Sequence, residues 1–550
     1  MMFSNLQRTE MKNKLSATTL DLIVIGGGIT GAGIALDAAT RGMNVVVFEM
    51  QDFASGTSSR STKLVHGGLR YLKQFEIKVV AEVGKERAIV YENGPHVTTP
   101  EWMMLPFYKG GTFGPFMTNI GLKMYDFLAG VKKSERRKML NADETLKREP
   151  LLKNEGLRGA GYYVEYKTDD ARLTLEIMKK AVEKGALAFN YMTVSDLIYE
   201  EGKVVGVVVN DLIDGTSHEF RAKKIVNATG PWVDELREID KSKDGKMLQL
   251  TKGIHLVFDS ARFPLKQAIY FDTPDGRMIF AIPRDGKTYV GTTDTVYKGD
   301  KANPKMTIED RDYVLKAIDF MFPEVKITAD DIESSWAGIR PLIYEEGKSP
   351  SEISRKDEIF VSDSGLISIA GGKLTGYRKM AESIVNLVAN QLEKEEGVTF
   401  GPSQTKDLPI SGGDVGGSTG FVKFVDEKVK EGVSIGINEA DAKMLVNRYG
   451  SNVDLVFDYY KEYSDDINLN PVVFACLKYG IDYEMIYKPA DFFVRRTAAY
   501  FFDIKWVTEQ QENVIEFMAK EFNWDDKRKE TYTQELEQLI YDATHPVEEE

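Results

Sequence analysis

The 550-residue chain contains one cysteine, Cys476. That excludes an internal disulfide and any cysteine-rich metal site, and it suits a reducing cytosol. Nowhere do about 20 apolar residues run together, so no membrane span is expected and any bilayer contact is peripheral. Cations are in deficit, with 71 Lys and Arg against 85 Asp and Glu, a formal charge of −14. Nucleic-acid binding calls for clustered basic residues, and this balance argues against it. It equally gives no general attraction to anionic lipid. The first twenty residues mix Arg8, Glu10, Lys12 and Lys14 with polar groups and lack the apolar core of a signal peptide. A cytoplasmic protein is the expectation. Hydrophobic and charged fractions of 42% and 28% are those of a soluble globular chain. Its length exceeds one ordinary core, so two or three domains are expected.

What is present begins with "LDLIVIGGGITGAGIALDAATRGMNVVVFE", which reads as strand, glycine turn, helix, strand. Gly26, Gly28 and Gly31 form G-x-G-x-x-G, and Glu49 closes the second strand. Glycines at this spacing let the backbone approach a pyrophosphate at a helix N-terminus, and the acid accepts from the adenosine ribose. A dinucleotide site is expected here. Two later segments repeat the strand-to-glycine logic: "EFRAKKIVNATGPW", breaking at Thr229-Gly230, and "GLISIAGGKLTGYRK", breaking at Gly371-Gly372 before a long amphipathic helix. They point to one nucleotide fold interrupted by insertions. A hairpin is expected at "EEGK", and the 250–360 region reads as β-rich. Beyond a Gly-, Ser- and Pro-rich stretch at 401–419 the patterns are helical, with a capping box expected at Thr508-Glu-Gln-Gln511.

The stretch "SSRSTKLVHGGLRY", residues 58–71, sets Arg60, Lys63, His66 and Arg70 among small hydroxyls and glycines. Such a cationic segment in an acidic protein calls for an anion. Together with "TDDARL", "NATGPWV", "KGIHLVF", "AGIRPL" and "GGKLTGYRK", in that order, it resembles the FAD-dependent glycerol-3-phosphate dehydrogenases. The resemblance covers about residues 20–400 strongly and the helical tail, including "DFFVRRT", more loosely. It implies an α/β fold: a Rossmann-like FAD domain of glutathione-reductase type, an inserted β-rich substrate domain and a C-terminal helical domain. The corresponding segments are a leader at 1–19 and FAD-binding parts at about 20–95, 165–250 and 355–400. Substrate parts fall at about 96–164 and 250–355, a linker at 401–419 and helices at 420–550.

The activity so implied is oxidation of sn-glycerol 3-phosphate to dihydroxyacetone phosphate, with electrons passed to a quinone. Expected cofactor contacts are Gly26, Gly28, Gly31, Glu49, Ser58, Ser59, His66, Gly230, Gly372, Leu374 and Thr375. Gly371 and Gly372, opening a helix, would aim N–H groups at the flavin. His255, Arg340 and Lys373 are the expected catalytic residues, and Arg70, Tyr71 and Arg355 the substrate-binding ones. His255 is the preferred base, Arg340 a donor to the developing alkoxide, and Arg70 with Arg355 the phosphate forks. No metal is expected. Candidate bilayer patches are "MMLPFYKGGTFGPFM" and "PADFFVRRTAAYFF". A homodimer stays open, as do three rivals: an oxidase passing electrons to oxygen, an amine or amino-acid oxidase, and a flavin-bound interaction protein without turnover.

Overall fold

The computed structural model describes residues 3–66, 77–111, 114–128, 135–344 and 357–548. The expectations for Arg70, Tyr71 and Arg355 lie outside these residues.

The strand Leu20–Ile25 is buried at all six positions and runs through the middle of an eight-stranded sheet. A strand so uniformly apolar needs cover on both faces, the signature of parallel α/β architecture. Its neighbours Val45–Phe48 and Ser217–Asn227 both pair with it in parallel. Leu187–Phe189 and Ile367–Ala370 extend the parallel order outward, and Glu358–Val361 adds an antiparallel edge. The long strand Ser217–Asn227 serves two ladders: its first half closes an antiparallel meander with Met192–Glu200 and Lys203–Asp211, and its second half joins the parallel sheet. The turn between Glu200 and Lys203 is the hairpin read from "EEGK". Chain order reverses between Leu20–Ile25 and Ser217–Asn227. Ligands of open α/β sheets bind beyond the strand ends at such a switch point.

A second, ten-stranded sheet is built from excursions out of the first. At its heart the His255 strand, Leu248–Asp259, lies antiparallel to the Arg340 strand, Ile332–Ile343, and to Lys287–Gly291. In this register His255 faces Trp336 and Thr251 faces Arg340.

The 401–416 stretch carries only a 3-10 turn, Thr405–Asp407, yet it is tied down. Asn93 donates to the carbonyls of Thr405 and Lys406, and Ile410 is buried. Helices follow from Gly417–Ser434 to Asp526–Thr544, interrupted by a π-helix at Asp491–Arg496. The first residues also fold: Phe3, Met11 and Leu15 are buried, and Arg8 makes a bidentate pair with Asp211.

Two local expectations are corrected, and one of the two candidate patches is excluded. Gly371 and Gly372 do not open the long helix; a 3-10 turn, Leu374–Gly376, intervenes and the helix Tyr377–Glu396 starts five residues after Gly372. Both glycines take positive φ, 73° and 86°, which no helical first turn permits. Thr508 is not a helix cap either. Its hydroxyl donates back to Ile504 O inside Ile504–Phe522, whose cap is Asp503, accepting from Trp506 N. "PADFFVRRTAAYFF" is no surface patch, because Phe492, Phe493, Phe501 and Phe502 are all core residues.

Candidate active site

Two adjoining chambers open where the parallel strands end. The first, about 330 Å³, is lined by Gly26, Gly28, Glu49, Ser58, Gly230 and Gly372, among others. The second, about 160 Å³, is lined by Arg60, Thr62, His66, His255, Arg340 and Thr375. Thr57, Ser61, Pro341 and residues 371–374 border both, so a molecule in one can reach a molecule in the other.

The first chamber is shaped by backbone. Gly26 stands at φ 110°, and a Cβ there would meet Ala228 O at 2.5 Å. Only glycine allows the turn to pass this close to the neighbouring strand. Gly28 differs: among the described residues, chain neighbours aside, only Ser58 Oγ comes within 4 Å of its added Cβ, at 3.1 Å. Its open side is the chamber. Ser58 Oγ accepts from Ile29 N (2.9 Å), steadying the first turn of the helix Ile29–Thr40. Glu49 accepts from Gly27 N (2.6 Å) and Gln51 N (2.9 Å), and burial raises its pKa above the ordinary carboxylate value despite these bonds.

The second chamber is shaped by side chains. His255 Nε2 lies 3.0 Å from Thr62 Oγ1, while Nδ1 has no hydrogen-bond partner among the described residues. The imidazole stacks on Trp336 at 4.6 Å, and Trp336 in turn packs against Phe501. Burial, then the positive charges of Arg340 and Lys63, hold His255 well below the usual histidine pKa. It is therefore neutral at working pH. Arg340 Nη1 donates to Thr293 O (3.1 Å) and Asp294 Oδ1 (2.9 Å), and Nη2 to Thr292 Oγ1 (2.9 Å). Its fork is fixed by the segment just after the Lys287–Gly291 strand.

The cationic stretch divides its labour. Lys63 turns away from the chamber, donating to Asp170 Oδ1 (2.7 Å) and Ser59 O (2.8 Å) above the Phe501 ring. Asp170 also accepts from Ser61 N and Oγ, which gives the "TDDARL" segment its purpose. Arg60 lines the second chamber, donates from Nη1 to Ala302 O (3.1 Å), and makes no ion pair among the described residues. Burial lowers its pKa to about 10. A half-buried guanidinium that makes no ion pair among the described residues is a ready anion ligand.

Of the expected cofactor residues, Gly26, Gly28, Glu49, Ser58, Gly230, Gly372 and Leu374 line the first chamber. His66 and Thr375 instead line the second, with Thr375 Oγ1 donating to His66 O (3.2 Å). Gly31 and Ser59 line neither. A Cβ at Gly31 would fall on the carbonyl of Gly26, so this glycine serves turn packing, and Ser59 is fully buried. His255 and Arg340 share the second chamber, and Lys373 borders both. Arg60, Thr62, Trp336 and Gly253 also build the second chamber, although none is an expected site residue: Arg60 and Thr62 lie within "SSRSTK" and Gly253 within "KGIHLVF", and Trp336 only adjoins "AGIRPL".

The chain matches recognised families. The model for FAD dependent oxidoreductases matches residues 21–378, and that for the C-terminal domain of alpha-glycerophosphate oxidase matches residues 403–529. Over the full chain, the sequence is 65% identical to an aerobic glycerol-3-phosphate dehydrogenase of Bacillus subtilis, covering 99% of that protein. It is 59% identical to the Staphylococcus aureus protein of the same name, covering 98% of it. The crystal structure of the Bacillus halodurans glycerol-3-phosphate dehydrogenase complexed with FAD aligns over 100% of both chains, with a TM-score of 0.87 and 52% identity. The chain belongs to the FAD-dependent glycerol-3-phosphate dehydrogenase family. L-α-glycerophosphate oxidase of Mycoplasma pneumoniae, at 18% identity and a TM-score of 0.56, shares the fold.

FAD is the cofactor of this family, and the residues present fit it. The open flank of Gly28 leaves room for a pyrophosphate at the start of Ile29–Thr40, and Glu49, lining the same chamber, would be the carboxylate to accept from a ribose.

The depressed His255 pKa has a measurable sign. Between its folded value and about 6.5 the unfolded chain binds a proton that the native imidazole refuses. Its contribution to stability is complete above about pH 6.5 and is lost as the pH falls below that. In the substrate-free protein, ¹⁵N shifts of His255 are expected to stay those of a neutral ring as the pH is lowered through about 6.5. A midpoint near 6.5 would show a solvated histidine instead.

Proposed function

We propose that the protein oxidises sn-glycerol 3-phosphate to dihydroxyacetone phosphate with FAD and delivers the electrons to a quinone. The observation that carries this reading is the pair of adjoining chambers, one a dinucleotide cradle and the other a pocket holding Arg60, Arg340 and a neutral His255. FAD, when bound, supplies the acceptor for the hydride leaving C2. His255 takes the C2 hydroxyl proton at Nε2, the nitrogen now facing Thr62. A phosphate dianion entering the chamber strengthens this base, since nearby negative charge favours the imidazolium. Arg340 donates to the alkoxide as it develops, because a guanidinium cannot compete for the proton. Arg60 joins Arg70 and Arg355 as candidates for the phosphate. An amine or amino-acid oxidase would need to match only a carboxylate, for which this many cations are excessive.

A quinone lives in the bilayer, and among the described residues no helix is long and apolar enough to cross one. Contact would fall to the helix Pro115–Leu128, where Phe116 and Ile120 are 75% and 47% exposed.

Anaerobic addition of glycerol 3-phosphate to the purified protein should abolish the visible absorbance of oxidised flavin. Glycerol should fail to do so at equal concentration. Reoxidation should be rapid with a soluble quinone and slow with oxygen. Persistence of the flavin colour with glycerol 3-phosphate would end the proposal, and fast peroxide release would favour the oxidase.

A further inference from the structure

The C-terminal helical region reaches the cofactor chamber without lining it. The segment just after the strand Val45–Phe48 supplies Glu49, Met50 and Gln51 to the chamber wall, and the next residue, Asp52, points the other way into a fully buried ion cluster. Both of its oxygens are gripped from the π-helix Asp491–Arg496. Arg496 donates from Nη1 to Oδ2 (2.5 Å) and from Nη2 to Oδ1 (2.9 Å). Arg495 donates from Nε to Oδ2, and Asn190 Nδ2 adds a bond to Oδ1 (3.1 Å). Burial alone would push the Asp52 carboxyl up, but Arg496 and then Arg495 hold it down at about 2.

The arginines are themselves fixed. Arg495 Nη2 donates to Asp491 Oδ1 (2.7 Å), which also accepts from Tyr191 OH (2.6 Å). Arg496 Nη2 donates to Glu484 O (2.5 Å), and the Arg496 carbonyl accepts from Arg172 Nη2 (2.9 Å). π-Helical turns are rare and concentrate at functional sites. Here the wide turn presents two consecutive arginines to one carboxylate.

On the chamber side the coupling is equally short. Glu49 is held by Gln51 N and Gly27 N, Gln51 O accepts from Tyr191 N (2.8 Å), and Ala54 N donates to Gly27 O (3.1 Å). A shift of Asp52 therefore moves both the acid of the dinucleotide fingerprint and the glycine turn. We propose that Asp52, clasped by Arg495 and Arg496, is a positioning residue through which the C-terminal helical region sets the affinity for the adenosine half of the cofactor. This rests on the FAD reading of the first chamber. A buried ion pair is weak evidence for stability but is well suited to fixing one arrangement out of several.

The test uses Arg495, which is less deeply embedded than Arg496. On flavin-depleted protein, Arg495→Met should weaken FAD and ADP by the same factor, roughly tenfold, and Arg495→Lys should recover most of the loss. In the wild-type protein, saturation with FAD should slow hydrogen exchange in residues 484–496, although none of them lines the chamber. This follows because coupling between sites is reciprocal. ADP affinity unchanged in a folded Arg495→Met, or exchange in 484–496 indifferent to FAD, would overturn the proposal. Wild-type protein that binds no FAD at all would instead overturn the cofactor reading beneath it.

Discussion

Gly28→Val is expected to yield a folded protein depleted of flavin. Of the three fingerprint glycines, Gly28 alone separates cofactor binding from folding. A side chain at Gly26 would meet Ala228 O and one at Gly31 would fall on Gly26 O, so either change breaks the turn itself. At Gly28 the only close atom among the described residues, chain neighbours aside, is the rotatable Ser58 Oγ, and the valine methyls project into the first chamber. Overfilling a close-fitting site costs about 1–3 kcal/mol, which is roughly a five- to 150-fold loss of affinity. Flavin released by heat from equal amounts of purified protein measures occupancy, and circular dichroism reports the fold. Full occupancy in a folded Gly28→Val would remove the pyrophosphate from this turn. The same release experiment on the wild type distinguishes non-covalent FAD, which is the expectation, from a flavin that stays with the chain.

The elements that were legible in the sequence are local ones. Strand Leu20–Ile25, the glycine turn and Glu49 lie within thirty residues, so periodicity and spacing suffice to place them. The helix start after Gly372 was misplaced because two positive φ values and a 3-10 turn leave no periodic trace. Thr508 misled for a related reason: Thr and Gln three apart make a capping box only where a helix begins, and Asp503 had already begun it. The site's polar wiring was illegible, because its partners are distant along the chain. Lys63 and Asp170 are 107 residues apart, His255 and Thr62 193, and Asp52 and Arg496 444. From sequence, Lys63 and Arg60 were equivalent cations of one stretch. The fold gives the first a buried carboxylate, whereas the second makes no ion pair among the described residues.

Arg340→Lys should slow flavin reduction by glycerol 3-phosphate about 10²–10³-fold while leaving flavin occupancy intact. Lysine keeps the charge but has a single nitrogen. It cannot hold Thr292 Oγ1, Thr293 O and Asp294 together and still donate to an alkoxide. A second route to the same defect starts from the neighbouring strand. Gly253 lies beneath the guanidinium and its Thr292 partner, and a Cβ there would fall on Thr292 Oγ1 and sit 2.5 Å from Arg340 Nη2. Gly253→Ala must therefore displace the fork together with the hydroxyl that holds it. Because both changes act through one guanidinium, their combined effect on the reduction rate should fall well short of the product of the two. Anaerobic stopped-flow mixing gives the rate at saturating substrate for each single variant and the double. An unchanged rate in Arg340→Lys would take Arg340 out of the chemistry. Fully multiplicative losses would mean that Gly253 matters to the strand, and not to the placement of Arg340.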